Sequence, residues 1–457
     1  MLAYSAALIT IGVTVARFVR GSSDFFVAGR KLGAPLVFVS VLASNIGAGA
    51  TIGATGLGYR EGLSAWWWSG SAAIGSIFLA LFVGPKLWRV AADNNLYTAG
   101  DYLELRYGPA VRGIVASLIW VATLSILAGQ LIAGAAVLSV VAGVPRWVGT
   151  IISAVVMTVT FVSGGLLGST WVNLVQLVVL LIGFSISLPM VLSHAGGLSA
   201  IFANPNIPSA FSDIMHSNGP SSGWMWIITL GPAFVISPGL MQKAYGASSE
   251  HAVRNGIGVQ AIALAIFAFI PALFGMAARA MHPGLTDPNI VLPTILVEAL
   301  PAGLGAIALA AVFSAEVNTC DALLFMLATS LSQDLYKRFI KRDASDAQVL
   351  LVARLAAVLG GVGGVLFALR LATIVDALRI FYTILGVTLL VPVVGGLYVK
   401  RAGTREALAS MAAGIATLFV AKYTVTPHHA WVDPTAAGLL AGAVAFTLLL
   451  IARGKSG

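Results

Sequence analysis

Four polar side chains, Glu316, Asn318, Thr319 and Asp321, fall close together in a long apolar run, ALAAVFSAEVNTCDALLFMLATSLSQDLYKRF. A carboxylate at bilayer depth costs about 2.5–3.5 kcal/mol on insertion scales, so one that is retained there points to function. At about 100° per residue, Ala315, Asn318 and Thr319 share one helix face, with Glu316 and Asp321 on its flanks. That face offers a carbonyl, an amide oxygen and a hydroxyl, the oxygen ligands a hard cation prefers. It would serve equally as a polar seam between neighbouring helices.

Two further segments carry polar or helix-breaking residues at mid-run. VLASNIGAGATIGATGLGYREG places Ser44 and Asn45 beside glycines at 47, 49, 53, 56 and 58. Such glycines either admit a neighbouring helix closely or let the helix unwind, so that backbone groups face a ligand. WIITLGPAFVISPGLMQKAYGA is interrupted by Pro232, Ser237, Pro238 and Gly239. Proline removes a backbone hydrogen bond, and the freed groups need protein, water or solute as partners. Two interrupted helices five spans apart are the pattern of an inverted-repeat transporter with its site near the midplane; a kinked structural helix is the plainer alternative.

The elements that must position these residues are membrane helices. The chain has 457 residues, of which 58% are hydrophobic and 9% charged, against about a quarter charged in soluble domains. Apolar runs near 1–19, 34–59, 64–88, 110–142, 147–168, 171–193, 223–243, 253–279, 301–333, 349–370, 374–398, 404–424 and 433–452 predict about thirteen transmembrane helices in an all-α polytopic protein. No strand-like alternation suggests a barrel. The start, Met1 to Val19, lacks a basic n-region and reads as an uncleaved span.

The net charge of +9 is that of topology, not of nucleic-acid binding: basic residues cluster at span ends in alternate loops, from Arg17, Arg20, Arg30 and Lys31 through Lys243 and Arg254 to Arg453 and Lys455. By the positive-inside rule these loops are cytoplasmic, with the N-terminus outside and the C-terminus inside. Trp66, Trp67, Trp68 and Trp147 read as interfacial anchors. The six histidines lie in loops or at span ends, and Cys320 is the single cysteine. Neither a buried base beside a nucleophile nor a metal-binding cluster is predicted, which argues against an enzyme.

GRKLG at 29–33, ASNIGAGATIG, ISPGLMQK and SAEVNTCDALLF followed by DLYKRF resemble the sodium:solute symporter family over roughly residues 25–400. The resemblance implies ten core helices in two inverted five-helix repeats of the leucine-transporter type, here 34–195 and 223–398. An extra N-terminal helix at 1–20 and accessory helices at 403–453 complete one transmembrane domain. It implies a sodium site formed by Ala43, Ile46, Ala315, Asn318 and Thr319, with Asn318 where the family usually has serine. It also suggests solute contacts at Ser44, Asn45, Gln130 and Ser237. Where many members carry an acid in the fifth core helix, this chain has Asn173, whereas Glu316 is not typical. The expectation drawn is that the carboxylate has moved from the one helix to the other and still lines the inward ion path, which leaves one coupling ion.

The reading is thus a secondary active symporter of the plasma (inner) membrane. Its partners are the lipid bilayer, sodium and a small polar solute; no cofactor, nucleic acid or obligate protein partner is expected. Its rivals are a proton-coupled symporter of the same fold that uses Glu316, and a solute sensor.

Overall fold

The computed structural model describes residues 27–162, 165–429 and 431–454; the predicted span at 1–19 lies outside them. Among the described residues the chain is helical, with a single parallel bridge between Leu32 and Ala247. In a bilayer every backbone amide and carbonyl must be satisfied within the protein, and helices do this locally.

The first core helix has two parts, α1 (Ala34–Asn45) and α2 (Ala54–Glu61), joined through a π-helical turn at Gly49–Gly53. The chain continues through α3 (Trp66–Phe78), α4 (Gly84–Asp93), the short α5 (Ala99–Tyr107), α6 (Pro109–Ala142), α7 (Arg146–Val162), α8 (Gly165–His194) and α9 (Leu198–Ala203). The second broken helix comprises α10 (Trp226–Val235) and α11 (Pro238–Tyr245). Then follow α12 (Glu250–Phe267), α13 (Phe269–Met281), α14 (Val291–Ala299), α15 (Ala302–Thr329) with its π-helical extension Ser330–Ile340, α16 (Asp346–Ala368), α17 (Ile374–Tyr398), α18 (Thr404–Val420) and α19 (Pro434–Gly454).

Ten stretches among the described residues are long and apolar enough to cross a membrane, and Ala34–Asn45 and Arg146–Val159 are shorter apolar helices. The predicted count of thirteen is not reached by that measure, partly because a break shortens a helix and partly because the first span is outside the described residues.

Helix pairings come in matched sets. α3 packs on α10, and α12 and α13 pack on α1 and α2; α6 packs on α17, and α15 packs on α8; α6 and α15 pack on each other. Exchanging the halves before and after residue 200 maps each pairing onto its counterpart.

The basic loops meet at one end. Arg30, in a turn where Ala28, Gly29 and Arg30 all have positive φ, donates to the carbonyls of Tyr245 (3.0 Å), Ala91 (3.0 Å) and Leu96 (2.7 Å). Arg112 lies among Asp101, Glu104 and Asp334 at 2.6, 2.8 and 2.8 Å. These contacts tie α1, α4, α5, α6, α11 and α15 together and close that end. Lys243 departs from the pattern: it is 4% exposed and inside the bundle, so its assignment to a cytoplasmic loop is corrected.

Candidate functional site

Both broken helices open onto one central cavity, with a free volume of about 60 Å³. Helix α1 ends because Ile46 leaves helical geometry (φ −97°, ψ 78°). The amide of Ala48, freed by the break, donates to Gln130 Oε1 of α6 at 2.9 Å. A Cβ on Gly47 would overlap the Thr319 hydroxyl and lie 2.9 Å from Gln130 Oε1. Only glycine lets the break approach α6 and α15 this closely, so unwinding and close packing, the two uses open from the sequence, occur together.

The second break is made by Pro232 inside α10 and Pro238 at the start of α11. Ser237, between the two helices, is extended (φ −52°, ψ 121°) and lines the cavity with Gly239 and Leu240.

The face predicted on α15 is present. Ala315, Asn318 and Thr319 are buried, and Thr319 Oγ1 lies 3.3 Å from the Ser44 carbonyl. Ala43 and Ile46 are buried in α1 and at its break. Asn318 Oδ1, Asn45 Nδ2, Asp321 Oδ1 and Glu316 Oε2 are buried without hydrogen-bond partners. Buried partnerless atoms occur elsewhere in the bundle too, on Gln176 and Gln260 for example; these four lie at the end of α1 and on α15. Ser44, Asn45, Gln130, Ser237 and Thr319 all line the cavity.

Glu316 is fully buried, and Thr51 Oγ1 lies 3.0 Å from both Glu316 Oε1 and the Gly47 carbonyl, so its single proton is shared between the two acceptors. Thr51 follows the break, on the side away from the basic end. Gly183 of α8 packs against Ala311 of α15, where a Cβ would come within 2.6 Å of the Ala311 methyl. Separated by two spans, these helices run antiparallel, so Asn173, ten residues from Gly183, lies about 15 Å from that crossing, at the depth of Asp321. Glu316 is about 7 Å nearer the crossing and lies against Thr51, beyond the break from the basic end, so the expectation that it lines the inward ion path is corrected.

Sequence reasoning assigned two cavity residues to other locations. Lys243 Nζ donates to the Ser40 carbonyl at 2.6 Å and to Ser44 Oγ at 2.5 Å. The signal was there: a helix restarting at Pro238 near mid-depth has risen only about 7 Å by residue 243, short of the roughly 15 Å half-thickness of the hydrocarbon core. Trp68 is the other. It is 2% exposed, meets Trp226 edge-on at 4.8 Å and lines the cavity, so for this residue the interfacial-anchor reading is wrong. Trp147, at 58% exposure, stays on the surface.

Comparison with known proteins agrees with this architecture. The chain is 26% identical over 455 residues to the sodium/glucose cotransporter of Vibrio parahaemolyticus, covering 90% of this chain and 82% of that protein. It is 28% identical over 443 residues to the sodium/pantothenate symporter of Escherichia coli (strain K12), covering 93% and 89%. In fold it is similar to a Na+-coupled sialic acid symporter in a substrate-bound outward-open state, with a TM-score of 0.80 at 20% identity over 98% of this chain and 96% of that one. A nucleobase-cation-symport-1 family transporter gives 0.64 at 14% identity over 95% of each chain. These neighbours share the leucine-transporter-type fold. The sequence model of the sodium:solute symporter family matches residues 25–414, and the chain belongs to that family of membrane transporters, which are not enzymes and use Na+ as the coupling ion.

Proposed function

We propose that this protein carries a small polar organic solute into the cell together with one sodium ion, by alternating access around the central cavity. The observation that carries the reading is the junction at the first break: Gly47 seated on Thr319, with the Ser44 carbonyl 3.3 Å from the Thr319 hydroxyl and the partnerless Asn318 Oδ1 on the same helix face. Sodium is assigned to oxygens of Ala43, Ile46, Ala315, Asn318 and Thr319, and the solute to Ser44, Asn45, Gln130 and Ser237.

The matched helix pairings support two inverted repeats, 34–195 and 223–398, with accessory helices at 403–453. The convergence of Arg30, Arg112 and Arg338 at one end supports a cytoplasmic face there. With the span at 1–19 this gives thirteen crossings of the inner membrane, an outside N-terminus and a cytoplasmic C-terminus. Glu316 places a carboxylate on the outer side of the break, and Asp321 with Asn173 forms the polar level on the inner side. The ion path runs between these two levels, past Thr319.

Uptake of labelled pantothenate and glucose into proteoliposomes, under imposed sodium or proton gradients, tests the coupling. Accumulation is expected with an inward sodium gradient and should collapse without it. Accumulation driven as well by protons in sodium-free buffer would overturn sodium coupling.

A further inference from the structure

Among the described residues, Lys243 is the only lysine, arginine, aspartate, glutamate or histidine on the cavity wall. The others are apolar, aromatic or neutral hydrogen-bonding groups. An ammonium has three donors; two of Lys243's go to the neutral oxygens of Ser40 and Ser44. Among the described residues no carboxylate lies within the 4.0 Å of an ion pair. Asp321 forms no ion pair with it within that distance and is not part of the cavity wall. A buried charge is costly unless paired, and Lys243 forms part of the cavity wall.

A second feature points the same way. Helix α11 begins at the cavity with Pro238, and its N-cap Ser237 makes no side-chain capping bond. The first amides of a helix have no partners within it, and its N-terminus carries partial positive charge, which favours anions. The helix start and the Lys243 backbone lie about 7 Å apart along α11, and Ser237, Gly239 and Lys243 all line the same cavity.

From these two features we infer that the solute bears a carboxylate, held by the Lys243 ammonium and the N-terminal amides of α11, with its uncharged body against Trp68, Phe234 and Tyr382. This rests on the symporter reading above and names the substrate class of that same site. A sodium ion and a monocarboxylate would then cross as a neutral pair.

The test is thermal unfolding of the purified full chain in sodium buffer with paired probes: pantothenate against pantothenol, lactate against lactamide, gluconate against glucose. At least one carboxylate should stabilise the protein, and its neutral counterpart should bind about tenfold more weakly or worse, as expected for loss of a charged hydrogen bond. Lys243→Arg should keep the preference and Lys243→Gln should erase it; should the Gln variant fail to fold, the wild-type pairs decide. Equal response to both members of each responding pair, a preference surviving in Lys243→Gln, or no response to any carboxylate would overturn the inference. Stabilisation by sodium alone, measured on the wild-type chain, separates the two readings: its absence counts against sodium coupling, whereas its presence without a carboxylate response counts against this inference only.

Discussion

Among the described residues two cationic side chains are buried, in opposite surroundings. Arg112, at the basic end, contacts three carboxylates, of Asp101, Glu104 and Asp334, and its guanidinium also donates to the Gln333 carbonyl at 3.2 Å. Arg338 reinforces the cluster through Glu104. Lys243, at the centre, touches only neutral oxygens. The first cation is saturated by the protein and closes the basic end, as a structural tie should. The second has no carboxylate within ion-pair distance among the described residues. Burial alone therefore does not distinguish a structural charge from a functional one; the identity of its partners does.

The comparison breaks most visibly at Arg112. Arg112→Ala would leave Asp101, Glu104 and the nearly inaccessible Asp334 without their shared cation, and removal of one partner from a buried pair typically costs about 3–5 kcal/mol. Thermal unfolding in detergent should show a greater loss than any single substitution on the cavity wall produces. If Arg112→Ala unfolds like the wild type, the cluster is not a structural tie and the contrast with Lys243 fails.

Much of this was legible in the sequence and some was not. The helix positions from residue 34 onward follow from apolar runs, because a bilayer leaves the backbone no other open solution. Both breaks were legible from Gly47 and Pro238, whose backbone properties are local. Thr319 was singled out by its helix face and Gln130 by family resemblance, and the two meet at Gly47. Lys243 was lost because charge was counted by loop, with no allowance for the depth at which the broken helix restarts. Trp68 was lost because a tryptophan at a span end suits an interface and a cavity wall equally, and the choice depends on Trp226, some 160 residues away. The depths of Glu316 and Asn173 depend on how α8 crosses α15, a tertiary register that no local pattern encodes.

An intermediate effect, on ligand binding and not on folding, sharpens the central half of the comparison. Thr319→Val keeps the shape of the side chain and removes the hydroxyl that lies 3.3 Å from the Ser44 carbonyl. Loss of one hydrogen bond of this kind costs folding about 1 kcal/mol. As a sodium ligand the hydroxyl should matter more: half-saturating sodium should rise about tenfold to a hundredfold, read from the sodium dependence of uptake. An unchanged sodium dependence would remove Thr319 from the ion site.

The smallest effect lies at the rim of the Arg112 cluster and concerns pH. Burial pushes the Glu104 carboxyl up, but hydrogen bonds and charge from Arg338 and Arg112 outweigh it and hold the group below the usual carboxylate range. A carboxyl whose folded pKa is depressed contributes stability that is fully present above its unfolded pKa and is lost as pH falls through the folded one. Glu104 is partly exposed, so solvent screening keeps this contribution to about 1 kcal/mol or less. Glu104→Gln should therefore be slightly less stable than the wild type near neutral pH. The two proteins should converge as pH drops below the carboxylate range, where the wild-type group is also neutral. A gap that widens on acidification would mean that Glu104 is not the acceptor its two arginine contacts make it, and that Asp101 and Asp334 alone hold Arg112.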